Sequence, residues 1–218
     1  MSEMHTVQHT PLHARDYTLI IDKSTSMDSS DALNGPTRWK VAAELAEGVA
    51  RKICQLDPDG IDIWLFSSTY KFFPNQSAEK VKEIFKGEQP FGTTALAEVL
   101  QKALDNFFAK RDSGRLKLNG ELIIVVTDGD ADNKWEVKRV LVNGSNRLRP
   151  NDKLTVAFFP MGNDPALAKF MNELDTDLVR EGASRDYVEV MKMSDIEQQG
   201  IQQVLMNTLA KEPRASVY

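Results

Sequence analysis

The run Leu122-Ile123-Ile124-Val125-Val126 constrains this chain more than any other feature. Successive strand side chains point to opposite faces, so an unbroken apolar run requires cover on both sides of a sheet. Tyr17-Thr18-Leu19-Ile20-Ile21 and residues 154–159 have nearly the same character. Helical periods fill the intervals between such runs. Val41, Leu45, Val49, Ile53 and Leu56 recur every three or four residues, and Leu96, Val99, Leu100, Ala103, Leu104, Phe107 and Phe108 mark the clearest amphipathic helix. Residues 61–66 and 69–73 also read as strands. Only Ser67 and Ser68 separate them, too few residues for a crossover, so this pair is an antiparallel hairpin.

Further helices are expected over 77–86, over 133–143 (Trp135, Val137, Val140 and Leu141 inward, ending near Gly144), and after Asn163-Asp164-Pro165. A last strand spans 187–191. The capping box Ser194-Asp195-Ile196-Glu197 then opens one final helix carrying Ile201, Val204, Leu205 and Leu209. Alternating strands and helices predict an α/β fold: a Rossmann-like, doubly wound, mostly parallel six-stranded sheet with one antiparallel edge strand and helices on both faces. One domain over 16–210 is expected, with a flexible N-terminal arm over 1–15 and a C-terminal tail over 211–218.

Several function classes drop out on composition. The chain has 218 residues, enough to bury a core without disulfides, and its single cysteine, Cys54, allows no intramolecular bridge. A net charge of −5 argues against nonspecific nucleic-acid binding and against an anionic membrane surface. No apolar run approaches the length of a membrane span, and the N-terminal residues lack a secretory core, so a cytoplasmic protein is expected. His5, His9 and His13 are the only histidines. The body of the chain therefore cannot assemble an internal Ser-His-Asp or Cys-His catalytic group.

In open α/β sheets ligands gather at the carboxyl ends of the strands, where strand order reverses. Asp22-Lys23-Ser24-Thr25-Ser26 follows the first apolar strand, and Thr127-Asp128-Gly129-Asp130 follows the 122–126 strand. Phe91-Gly92-Thr93-Thr94 precedes the strongest helix. All three offer short oxygen donors. Two carboxylates converging in a crevice repel, and a cation relieves them; a set without His or Cys selects a hard ion, Mg²⁺, Mn²⁺ or Ca²⁺.

Asp-x-Ser-x-Ser, a Gly-x-Thr before a helix and Thr-Asp-Gly, in this order and with 106 positions from Asp22 to Asp128, resemble the von Willebrand factor type A domain. The resemblance covers about residues 16–210. Arg38-Trp39-Lys40 and Met161-Gly162-Asn163-Asp164 resemble the intracellular microbial members of that family. What the resemblance implies is a metal-ion-dependent adhesion site. Ser24 and Ser26 would ligate through their hydroxyls and Thr94 would supply a third, directly or through water. Asp22 and Asp128 would hold coordinated waters and balance charge. Thr94 is preferred to Thr93 because Leu100 then follows six residues later. Mg²⁺ is the expected ion. The expected partner is a protein supplying an Asp or Glu carboxylate, with AAA+ ATPases and stress-response or assembly factors as the implied kinds. The family also places the first strand beside the 122–126 strand.

Lys23, Asp28, Asp31, Asp130 and Asp132 read as solvated loop residues. Tyr70, Phe72, Phe73 and Phe91 are candidates for a partner rim, with core packing expected for at least half of them. The alternative reading is a metal-dependent phosphohydrolase with Asp22 as nucleophile. Such enzymes use a second aspartate two residues on, and here that position is Ser24. Neither a GxxxxGK[ST] nor a GxGxxG loop is present.

Overall fold

The computed structural model describes residues 11–56, 59–129 and 131–210. His5 and His9, the turn residues Asp57 and Pro58, Asp130 and the expected tail over 211–218 lie outside the described residues.

Six strands form one sheet: β1 (Asp16–Asp22), β2 (Ile61–Phe66), β3 (Tyr70–Gln76), β4 (Glu121–Thr127), β5 (Leu154–Pro160) and β6 (Val188–Val190), in the order β3-β2-β1-β4-β5-β6. Only β2 and β3 pair antiparallel; β3 starts at Tyr70, one residue later than expected, and the three-residue connection over 67–69 is still too short for a crossover. The chain moves outward from β1 through β2 and β3, then returns to β4 on the other side of β1. The reversal point therefore lies between β1 and β4, paired in parallel from Asp16↔Glu121 to Ile21↔Val126.

Strand periodicity divides the apolar runs between two cores. Ile20, Ile123 and Val125 face α3 (Leu96–Asp112), α4 (Lys134–Arg147) and α5 (Pro165–Thr176). Leu19, Ile21, Leu122, Ile124 and Val126 face α1 (Arg38–Leu56), α2 (Ala78–Gly87) and α7 (Ile201–Ala210). Each fully buried aliphatic side chain contributes about 1.5–3 kcal/mol, and this double cover explains why the runs carry no polar alternation. Among the described residues no helix is long and apolar enough to cross a membrane.

Local chemistry sets the helix starts. Thr37 accepts from Lys40 N, so α1 opens at Arg38, two residues after Pro36. Asp164 accepts from Ala166 N at 2.8 Å and Pro165 occupies the first turn of α5. Asp164→Ala removes this cap; a loss of about 1 kcal/mol is expected, read as a fall of a few degrees in melting temperature.

Four sequence expectations need correction. The helix expected to stop near Gly144 runs to Arg147. Gly144 lies inside α4 because a Cβ there would meet Tyr187 Oη at 2.8 Å and Leu104 Cδ1 at 2.9 Å; close packing, not termination, requires the glycine. Trp135, read as inward, is 66% exposed. The single final helix is broken by Gly200 (φ 78) into α6 (Met193–Gln199) and α7, and Lys192 rather than Ser194 stands at its cap. Lastly, part of the expected flexible arm is docked: Leu12 is buried and its carbonyl accepts from the Tyr17 hydroxyl at 2.5 Å. Arg15 is buried as well.

Candidate metal centre

Asp22 is the last residue of β1 and is fully buried. Its Oδ1 accepts from Ser24 N at 2.8 Å and its Oδ2 from the Thr127 hydroxyl at 2.7 Å. Burial pushes its pKa up to about 6, with the nearby Asp128 charge adding to the effect; the bonds from Ser24 and Thr127 oppose the rise without cancelling it.

The chain leaving β1 folds into a 3-10 turn over Thr25–Asp28, which the sequence reading did not anticipate. Met27 anchors this turn in the core, and Met27 N donates to Ser24 O. The tight turn brings the Ser24 and Ser26 hydroxyls within 2.9 Å of each other. Ser24 is buried and Ser26 half-buried.

Asp128 follows β4, with its side chain 1% exposed. Oδ2 accepts from Arg38 Nη1 at 3.1 Å. Oδ1 is buried and has no hydrogen-bond partner. The next residue must be glycine: Gly129 has φ +73, and a Cβ there would lie 1.9 Å from Leu167 Cδ1. Its N–H donates to Thr127 Oγ1 at 3.1 Å, completing a chain from Gly129 through Thr127 to Asp22.

The segment from Phe91 to Ala95 is bonded to the exits of β1 and β2. Phe91 N donates to Lys23 O (2.7 Å), Thr25 N to Gly92 O (3.1 Å), and Ala95 N to Ser67 O (2.9 Å). Thr94 N donates to Asp132 Oδ1 while Asp132 N donates to Thr94 O, each at 3.2 Å. Thr94 is buried, and its side chain does not cap α3, whose cap position is Ala95 without a side-chain bond. Thr93 is exposed and its hydroxyl faces Ser68 at 3.3 Å. Thus Asp22, Ser24, Ser26 and Asp128 lie in one constellation, and backbone bonds fasten the Thr94 segment beside it.

Three residues assigned to solvent are structural parts of this region. Lys23 Nζ reaches Glu88 at 2.9 Å, Asp31 pairs with Arg38, and Asp132 buttresses Thr94. Thr127 and Arg38 also went unassigned. Arg38 carried one readable signal, because a cation at a helix N-terminus opposes the helix dipole and needs outside partners.

The donors fit a hard divalent cation. They are hydroxyls and carboxylates, and the unpartnered Asp128 Oδ1 is the orphaned buried acceptor that an ion or its coordinated water would satisfy. Among the described residues no cluster of three or more His, Cys, Asp or Glu side chains is arranged for a metal. Ligation here would depend on the hydroxyls.

No curated protein matches the chain. Solved structures share its fold. Manganese-loaded TRAP protein from Plasmodium vivax aligns with TM-score 0.54 and 19% identity over 94% of this chain and 76% of that one. The PilB minor pilin of Streptococcus sanguinis (as its D319A mutant) aligns with TM-score 0.59 and 10% identity, covering 91% of this chain and 60% of that one. A von Willebrand factor type A structure from Catenulispora acidiphila aligns with TM-score 0.55 and 18% identity, covering 92% and 44%. The chain thus spans less than two thirds of the latter two. The model of the von Willebrand factor type A domain matches residues 17–130, more than half of the sequence, and the chain belongs to that family.

Proposed function

We propose that this domain is a metal-dependent protein-interaction module of the intracellular microbial type, in which Asp22, Ser24, Ser26, Thr94 and Asp128 form a metal-ion-dependent adhesion site. The observation that carries the reading is Asp128 Oδ1, buried and unpartnered beside a second buried carboxylate. The manganese in the Plasmodium vivax relative's structure supports an ion on this fold. Mg²⁺ is the proposed physiological ion, with Mn²⁺ and Ca²⁺ as candidates of the same chemistry.

The chain's own residues do most of the work. Ser24 and Ser26 present neutral hydroxyls, Asp22 holds Ser24 in place, and Asp132 fixes Thr94. A divalent ion bound there supplies charge that neutral hydroxyls leave unneutralised, to which an Asp or Glu of a partner protein can add. Exposed apolar side chains sit at the same end of the sheet: Leu33 and Phe91, on loops, and Trp135, in the first turn of α4, are 96%, 77% and 66% exposed. Between α3 and α4 an open groove of about 520 Å³ begins at Thr94 and Asp132. Such a rim supplies the specificity that one ion–carboxylate contact lacks.

The test is affinity capture from a cytoplasmic extract, with Mg²⁺ or with EDTA. Partners held by the wild type in Mg²⁺, lost in EDTA and lost with Ser24→Ala are expected. Capture indifferent to both contradicts the proposal. Magnesium-dependent hydrolysis of a generic phosphoester, abolished by Asp22→Asn, would favour the phosphohydrolase alternative; no turnover above the buffer rate is expected.

A further inference from the structure

The Arg38 guanidinium sits in a socket built from distant segments. Nη1 donates to Asp128 Oδ2 at 3.1 Å, while Nε and Nη2 donate to Asp31 Oδ1 at 3.0 and 2.8 Å. Gly162, in the loop after β5, closes the socket. It has φ +100, and a Cβ there would lie 2.7 Å from Arg38 Nη2, so a side chain at 162 would displace the guanidinium. Arg38 opens α1, where the helix dipole disfavours a cation, so two carboxylate partners hold it in an otherwise unfavourable place.

The pairing is lopsided. Asp31 takes two donors and is one-third exposed; Asp128 takes one donor through Oδ2 and keeps Oδ1 unpartnered. Arg38 thus neutralises Asp128 without using the oxygen that faces no other group. Asp22, Asp128 and Asp31 together carry three negative charges when ionised, and Arg38 offsets one. With a divalent ion added the group is neutral; without Arg38 it would carry one negative charge. That negative charge is what Arg38 spares an incoming carboxylate.

We propose that Arg38 is the fixed counter-charge of the Asp22–Asp128 site: it holds metal affinity down and keeps the loaded site from turning negative toward an acidic partner. This rests on the adhesion-site reading above. Asp31 acts in the opposite sense, because it draws the guanidinium outward and shares its charge. Two opposed substitutions follow. Arg38→Met removes the counter-charge and tightens metal binding. Asp31→Asn leaves the guanidinium to Asp128 alone and weakens it. A purely structural role for the socket would make both substitutions weaken the site.

The experiment is calorimetric titration of Mn²⁺ alone into the full chain as wild type, Arg38→Met, Arg38→Lys and Asp31→Asn. Arg38→Met is expected to bind roughly tenfold more tightly or better, and Asp31→Asn a few-fold more weakly. Arg38→Lys, which keeps the charge, stays near wild type. Thermal unfolding adds a second readout. In EDTA Arg38→Met melts below wild type, because Asp22 and Asp128 then repel without relief, and Mn²⁺ raises its melting temperature by more than it raises the wild type's. Arg38→Met binding equal to or weaker than wild type overturns the proposal. So does a shift of Arg38→Met and Asp31→Asn in the same direction. If Arg38→Met does not fold, Asp31→Asn decides: affinity at or above wild type overturns it. A wild type that takes no Mn²⁺ overturns the adhesion-site reading and the inference with it, whereas wild-type binding with an unresponsive Arg38→Met overturns only the role of Arg38.

Discussion

Asp22→Ala is expected to abolish the rise in melting temperature that Mg²⁺ gives the wild type. At a free-ion concentration about 100-fold above Kd, one linked site stabilises the fold by about 2.7 kcal/mol, or roughly 5–10 °C for a chain of this size. The variant loses this gain while unfolding in EDTA within a few degrees of wild type. The near-neutral effect in EDTA has two opposing parts. Removing Asp22 leaves Ser24 N and Thr127 Oγ1 without an acceptor, costing about 1–3 kcal/mol. It also removes a buried carboxylate whose pKa stands at about 6, and relieving that burial at neutral pH returns a similar amount. Differential scanning fluorimetry in EDTA and in Mg²⁺ checks both parts. A variant that keeps the metal-induced rise shows that Asp22 is outside the site.

The second large effect lies at the opposite end of the sheet. Glu121, the first residue of β4, is fully buried and its pKa is pushed up to about 7 by burial, while Lys110 and the Thr18 hydroxyl pull it back. Thr18 Oγ1 donates to Oε1 at 2.6 Å, and Lys110 Nζ lies 3.5 Å from Oε2 and 2.9 Å from Asp62 Oδ2. Asp16 and Asp62 add repulsion. A carboxyl whose folded pKa lies above its unfolded value contributes stability that is complete below the unfolded pKa and lost as pH rises through the folded one. From 4.5 to about 7, that loss amounts to about 3 kcal/mol. The wild type in EDTA should therefore lose stability from near pH 4.5 to above pH 7. Glu121→Gln should reduce that slope, leaving the part that Asp22 contributes up to about pH 6, and be more stable than wild type at pH 8, with Lys110 still paired to Asp62. Urea unfolding at pH 5 and pH 8 reads the difference; an unchanged slope in Glu121→Gln assigns the pH dependence to other groups.

The fold was legible because its strands are buried on both faces. An apolar run such as 122–126 admits few alternatives, and the short gap between β2 and β3 left only a hairpin. Two of the three candidate segments, those after β1 and β4, stood out because strand ends put them at the point where strand order reverses. What could not be read depended on contacts between distant residues. Gly144 looks like a helix stop in sequence, but the closeness of Leu104 and Tyr187 gives it another role. The 3-10 turn that brings Ser24 to Ser26 has no periodic signature, being a single turn anchored by Met27. Lys23, Asp31, Arg38 and Asp132 are charged loop or helix-end residues whose partners lie 65, 7, 90 and 38 positions away, so only the folded chain distinguishes them from solvated residues.

Anomalous diffraction from crystals of the wild-type chain grown with Mn²⁺ tests the central claim most directly. The expected result is one strong peak coordinated by the Ser24 and Ser26 hydroxyls, beside Asp22, Thr94 and Asp128. No peak, or a peak confined to the acidic residues Asp16, Asp59 and Asp62 at the far end of the sheet, would contradict it.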